Sequence, residues 1–137
     1  MKKIVVISML SILLVACGDK EQVDTGNDTV TLSHNFADFN LDVDYSPTEK
    51  YEASFEKDVD GIEAIIEDEL NNEHLHGNEA FDRLNPILEQ LKFNATTPNE
   101  QVIEEVLSAF SLDNNFIEFE LDVLFSDGTQ KEYRLIK

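Results

Sequence analysis

The chain has 137 residues, with 29 Asp and Glu against 10 Lys and Arg, a formal net charge of −19 at pH 7. A field of that sign repels nucleic acid and anionic lipid headgroups, so nucleic acid is not an expected partner. One cysteine allows no internal disulfide and no cysteine metal cluster, and the length suits one small domain with one core.

The chain opens with Lys2-Lys3 and an apolar run from Ile4 to Ala16, closed by Leu14-Val15-Ala16-Cys17. That run is shorter than the ~20 residues a membrane-spanning helix needs. An ordinary secretory signal wants small residues before the cut, not a cysteine after it. The pattern is that of a bacterial lipoprotein. It predicts a signal peptide over residues 1–16 and diacylglyceryl lipidation, with palmitate-type chains, at Cys17. At least two acyl chains give stable anchoring where one is marginal. The expected location is the outer, extracytoplasmic face of the cell membrane of a Gram-positive bacterium. Signal removal takes away Lys2 and Lys3 and no acid, which leaves a net charge of −21. Residues 17–32 are polar and lack an apolar period, so they are expected to be the lipidated cysteine and a flexible tether. Residues 33–137 form the domain.

Phe39 to Tyr45 alternates apolar and polar residues, the mark of a half-buried strand. Ser46-Pro47-Thr48-Glu49 predicts a turn, and Tyr51, Ala53 and Phe55 a returning strand. Ile62, Ile65, Ile66 and Leu70 follow helical spacing, with Asp60 and Glu63 as a capping pair. Asn71 to Gly77 reads as a loop. A second helical stripe runs through Phe81, Leu84, Ile87, Leu88 and Leu91. Pro86 lies inside it and either kinks or divides the helix. Thr97, Pro98 and Glu100 predict the start of a third helix, with Val102, Ile103, Val106, Leu107 and Phe110 inward. Phe119, Leu121, Val123 and Phe125 give another strand. Ser126-Asp127-Gly128-Thr129 then turns the chain into a strand through Lys131, Tyr133 and Leu135.

Residues 39–46 and 119–126 match at five of eight positions, at an offset of 80. The predicted fold is α+β: a single four-stranded antiparallel sheet in ββ-ααα-ββ order, helices packed on one face. The hairpin likeness suggests that the strands lie in the order second, first, third, fourth. Phe39, Leu41, Val43, Phe55, Phe119, Leu121 and Val123 are expected in the core. Ile62, Ile66, Leu84, Leu88, Val106 and Phe110 are expected to pack against them.

The segment from Phe39 to Lys137 resembles the YusW-like domain of Bacillus-type bacteria. The likeness is carried by Leu41-Asp42-Val43-Asp44-Tyr45, by Gly61 through Glu69, by Phe119 through Val123 and by Phe125 through Thr129. These are structural strands and turns, so the resemblance implies a fold and a small lipoprotein, and supplies no catalytic residues. The closing helix-strand-strand is also similar to PepSY modules, exported domains proposed to restrain proteases. That likeness implies, as a narrower alternative, an inhibitor of an exported protease.

Chemistry-bearing motifs are sparse. His74-Leu75-His76 could meet one metal only with further ligands, which makes exposed histidines the expected reading. Asp58-Val59-Asp60-Gly61 lacks the remaining positions of a calcium loop. No serine sits in a nucleophile-elbow context and no glycine-rich loop cradles phosphate. Neither a catalytic residue, nor a cofactor, nor a metal site is predicted, and the chain is not expected to be an enzyme. One constellation remains. Strand parity puts Asp42, Asp44, Glu52, Glu56, Glu118, Glu120, Asp122 and Glu132 on the face away from the helices, against Lys50 and Arg134. Such a face keeps a sheet from associating edge to edge and also suits a basic peptide, protein or cation. The expected function is a monomeric, lipid-anchored binding module using Asp42, Asp44, Glu118, Glu120 and Asp122. The alternative is a cell-envelope hydrolase, or its accessory subunit, centred on His74 and His76.

Overall fold

The computed structural model describes residues 22–26 and 30–137. The predicted signal peptide and Cys17 lie outside the described residues. Six strands and two helices follow in the order β1 (Phe36–Asp44), β2 (Lys50–Lys57), β3 (Ile62–Asp68), β4 (Glu73–His76), α1 (Gly77–Gln90), α2 (Asn99–Ala109), β5 (Glu118–Phe125) and β6 (Gln130–Ile136). The strands form one antiparallel sheet in the order β4-β3-β2-β1-β5-β6. The α+β class and the one-sided helix layer are as expected. The counts differ: six strands stand where four are predicted, and two helices where three are predicted.

The difference lies in Ile62–His76. Ile62, Ala64, Ile66 and Asp68 are all buried, at period two, and their neighbours only half-buried. The three isoleucines that fit helical spacing are β-branched and suit a pleated surface. Asp60 caps no helix. The Asp58 carboxylate accepts the amides of Asp60 (2.7 Å) and Gly61 (3.2 Å), and Gly61 turns the chain at φ 140°. Such a φ lies outside ordinary side-chain-bearing conformations. The predicted loop Asn71–Gly77 is a turn, with Asn72 at φ 52°, followed by the short strand β4 and the start of α1.

Pro86 lies within α1, which runs unbroken from Gly77 to Gln90. Thr97 does not cap α2. Its hydroxyl accepts the Asn94 amide at 3.0 Å, and the helix begins one residue later than predicted, behind Pro98.

All thirteen residues expected inside are buried, Ile62 and Ile66 from a strand and not a helix. Aromatic rings fill the space between the layers: Phe39 stacks on Phe110 with ring centres 5.8 Å apart and meets Phe36 at 5.4 Å.

The β1–β2 and β5–β6 hairpins repeat each other about the β1–β5 seam. Leu41 pairs with Leu121, an offset of 80. The pairs Val43–Tyr51 and Leu41–Ala53 of the first hairpin recur as Val123–Lys131 and Leu121–Tyr133 in the second. The amides of Tyr45 and Phe125 close the two turns on Glu49 and Thr129, each at 2.9 Å. The order β2-β1-β5-β6 is the one that the hairpin likeness suggests.

Part of the segment read as a tether is described. Gln22 bridges to Glu63 on β3, the Val23 amide donates to the Ile62 carbonyl at 2.9 Å, and the Asp24 amide to the Asn78 side chain at 2.7 Å.

Candidate functional site

Both helices pack on one face of the sheet, through Ala80, Leu84, Leu88, Val102 and Val106. The other face carries the even-numbered side chains of β2, β5 and β6 and, from Asp38 onward, of β1. The structure brings all five candidate residues together there, on the adjacent strands β1 and β5. Asp44 stands opposite Glu118, Asp42 opposite Glu120, and Asn40 opposite Asp122. Asp42 and Asp44 are half-buried, as are Glu118 and Glu120, whereas Asp122 is exposed.

β3 and β4 extend this face beyond the predicted hairpins. The register makes one continuous row across six strands: His74, Glu67, Glu52, Asp42, Glu120 and Arg134. Four adjacent carboxylates are thus bracketed by a histidine and an arginine. His76, in the next row, reaches the same Glu67: its Nε2 lies 3.0 Å from Oε1, while His74 Nδ1 meets Oε2. The histidines expected in a loop are therefore on an edge strand, held by one carboxylate between them. That carboxylate raises the pKa of His74 by hydrogen bonding and by its charge.

Two strand cations serve this face, and each spans two acids. Lys50 lies 2.9 Å from Glu52 and 3.9 Å from Asp42; Arg134 lies 2.6 Å from Glu118 and 3.9 Å from Glu120. Ion pairs this exposed contribute little to stability. They leave Asp42 poorly compensated. Partial burial, then the neighbouring Asp44 and Glu52, push its carboxyl up to about 6 against the pull of Lys50. Burial also raises Asp38, at the far end of β1.

An open depression of about 510 Å³ lies across the middle strands, with Asn40, Asp42, Glu52, Ser54, Ile65 and His76 among its walls. Beside it, Glu120, Asp122 and Glu132 bring carboxylate oxygens within 4.8 Å of one another. Three hard oxygen donors at that spacing have the chemistry of a divalent cation ligand set. The face as a whole offers hydrogen-bond acceptors and negative charge.

Glu67 is a residue of this face that the sequence did not point to, and His74 and His76 were singled out there but placed in a loop and not on this face. The signal was present in Ile62-Ala64-Ile66 at period two and in the Asn71-Asn72 turn before the Glu73–His76 strand. Among the described residues, no helix is long and apolar enough to cross a membrane.

The family model described as YusW-like protein matches residues 37–127. The chain is 30% identical over 130 residues to "Uncharacterized protein YusW" of Bacillus subtilis (strain 168), with 90% of each chain covered. This chain belongs to the YusW-like family. No solved structure matches it. The YusW-like match takes in nearly all of β1 and the whole of β2 through β5, and so all five candidate acids, while Glu132 and Arg134 on β6 lie beyond it. Within this YusW-like domain, the stretch Gly61–Glu69 that carries part of the resemblance holds a strand and not a helix.

Proposed function

We propose that this chain is a lipid-anchored, extracytoplasmic binding module that engages a basic protein or peptide through its acidic sheet face. The observation that carries the reading is the row Glu67, Glu52, Asp42 and Glu120 on four adjacent strands. Like charges directly opposite one another in a sheet are destabilising. A cationic partner laid across the row relieves that repulsion and offsets the rise in the Asp42 carboxyl pKa. The anchor is the diacylglyceryl group at Cys17, supported by the Leu14-Val15-Ala16-Cys17 pattern.

A lysine-rich peptide and residues 18–137 test the binding by titration calorimetry. Affinity should fall as salt rises, because exposed charges are screened over ~8–10 Å at ordinary ionic strength. Joint replacement of Asp42, Glu118 and Glu120 by Lys should abolish binding and leave the fold intact. Binding indifferent to both salt and charge reversal rejects the acidic face. For the anchor, labelled palmitate should enter the native chain in cells and not the Cys17→Ala variant; no incorporation into the native chain rejects it.

The bracketing of Glu67 by His74 and His76 supports a second reading, a hydrolase or its accessory subunit. It requires turnover of a peptide, glycan or phosphoester substrate that is lost when both histidines become alanine.

A further inference from the structure

On the helix side of the sheet, away from the acidic face, a cleft of about 400 Å³ opens between the ends of β2 and β3 and the C-terminal turn of α2. Ile66, Ile87, Phe110 and Leu112 give it apolar walls. Asp68 stands among them, only 7% exposed, and the sole other buried polar or charged residue described is His34. The Asp68 carboxylate accepts two hydrogen bonds, from the Asn71 amide at 3.1 Å and the Asn71 side chain at 2.7 Å. Among the described residues no cation pairs with it. A carboxylate withdrawn from water without a counter-charge is costly. Arg83, on the cleft wall, is turned instead to Glu73 at 3.0 Å.

The cleft lining is net acidic: Asp68 and Glu73 stand against one cation, Arg83, which is already paired with Glu73. The C-terminal end of α2 forms one wall, with no basic residue in its last turn. The helix macrodipole therefore adds partial negative charge there. The chain leaves α2 through Ser111 at φ 55°, with the Leu112 amide returning to the Leu107 carbonyl at 2.8 Å. With the Ser111 amide on the Ser108 carbonyl at 3.2 Å, this is a Schellman closure, a common way to end a helix. Tyr51, opposite Asp68 in the β2–β3 ladder, packs its ring against Phe110 at 5.9 Å. Burial first, then the charge of Asp68, raises its phenol pKa. The hydroxyl of Tyr51 thus stays protonated beside the carboxylate.

We propose that this cleft binds a primary ammonium group on an aliphatic stem. The stem lies against Ile66, Ile87 and Leu112, and the ammonium group meets Asp68 near the negative end of the α2 dipole. The chemistry is shared by a lysine side chain in a polypeptide and by a free alkylamine. The site lies on the opposite side of the sheet from the acidic row, so it stands or falls independently of that face.

Amide NMR spectra of residues 18–137, which contain every described residue, test it. The probes are Nα-acetyl-lysine methylamide, n-pentylamine and, as the uncharged control, Nα-acetyl-norleucine methylamide. Saturable shifts are expected at Asp68–Asn71 and Ala109–Leu112 with at least one amine, and none with the norleucine control. Response to the lysine derivative alone assigns the site to polypeptide side chains; response to pentylamine assigns it to free amines. Asp68→Asn keeps an acceptor for the Asn71 amide and should weaken binding by about 10- to 100-fold, the range for loss of a charge-assisted hydrogen bond. Ile87→Phe fills the cleft without touching Asp68 and should also abolish the shifts, which decides the matter if Asp68→Asn does not fold. The proposal is overturned if no amine gives saturable shifts at these residues, if shifts are confined to the outer sheet face, or if Ile87→Phe binds as the native chain does.

Discussion

Asp42 on β1 and Glu120 on β5 stand directly opposite each other on adjacent strands of the sheet. Their carboxylates repel, and the nearby Lys50 and Arg134 reach them only at 3.9 Å. Glu120→Gln should therefore raise stability by about 0.2–1 kcal/mol, the scale of a cross-strand pair. The urea midpoint is the measurement, and a midpoint that falls contradicts the repulsion.

Asp42 also sets a pH dependence. Its folded carboxyl titrates at about 6 against 3.8 for the free group. The folded protein then holds this proton more tightly than the unfolded chain. The contribution to stability is present below about pH 4 and is lost as pH rises through 6. Carbon-detected NMR of the Asp42 side chain should give a midpoint well above the usual carboxylate range. Asp42→Asn should flatten this part of the stability profile.

His34 works in the opposite direction. It is buried against Phe36 and Phe55, with ring centres 5.7 and 4.9 Å away, and its Nδ1 accepts the Phe36 amide at 3.3 Å. Burial lowers its pKa below 6.5; Glu89 and Asn85 of α1 oppose the shift and Lys57 adds to it. A histidine with a depressed folded pKa contributes stability above its unfolded pKa and loses it as pH falls. Asp42 acts the other way over the same range, so the His34 contribution is read as a difference: from pH 7 to 5 the melting temperature of His34→Phe should rise more, or fall less, than that of the native chain. An equal change in the two chains contradicts the His34 contribution.

Phe39→Ala should be severe. The ring is fully buried between Phe36 and Phe110. Removal of a core Phe costs about 3–5 kcal/mol, a large share of the 5–15 kcal/mol typical of a whole domain. Loss of the cooperative thermal transition, or a large fall in its midpoint, is the expected result.

The hairpins were legible because each of their strands alternates along most of its length, and parity alone put Asp42, Glu120 and their neighbours on one face. The stretch after Gly61 was not. Ile62, Ile65 and Ile66 satisfy helical spacing, while Ile62, Ala64 and Ile66 satisfy strand spacing. Short apolar runs carry both periods. The free edge of β2 settled the matter by offering Ile62–Asp68 a row of backbone partners, which a one-dimensional pattern does not contain. Placing β3 in the sheet then carried Glu67 onto the acidic face, and the Asn71-Asn72 turn delivered His74 and His76 beside it. The cleft at Asp68 was hidden for the same reason. Its walls come from β2, β3, α1 and the end of α2, and no local spacing connects them.

The docking of Gln22 beside β3 changes the reach of the domain. Under the proposed anchorage at Cys17, the leash to that contact is five residues long, about 16–18 Å when fully drawn out. A free segment to residue 32 would let the domain sweep a hemisphere several times wider. On the shorter leash, the β3 edge rides close above the lipid headgroups and the domain stays within one shallow layer. A partner would meet it by moving sideways through that layer, so collision is favoured with molecules that are themselves membrane-bound or emerging from the bilayer.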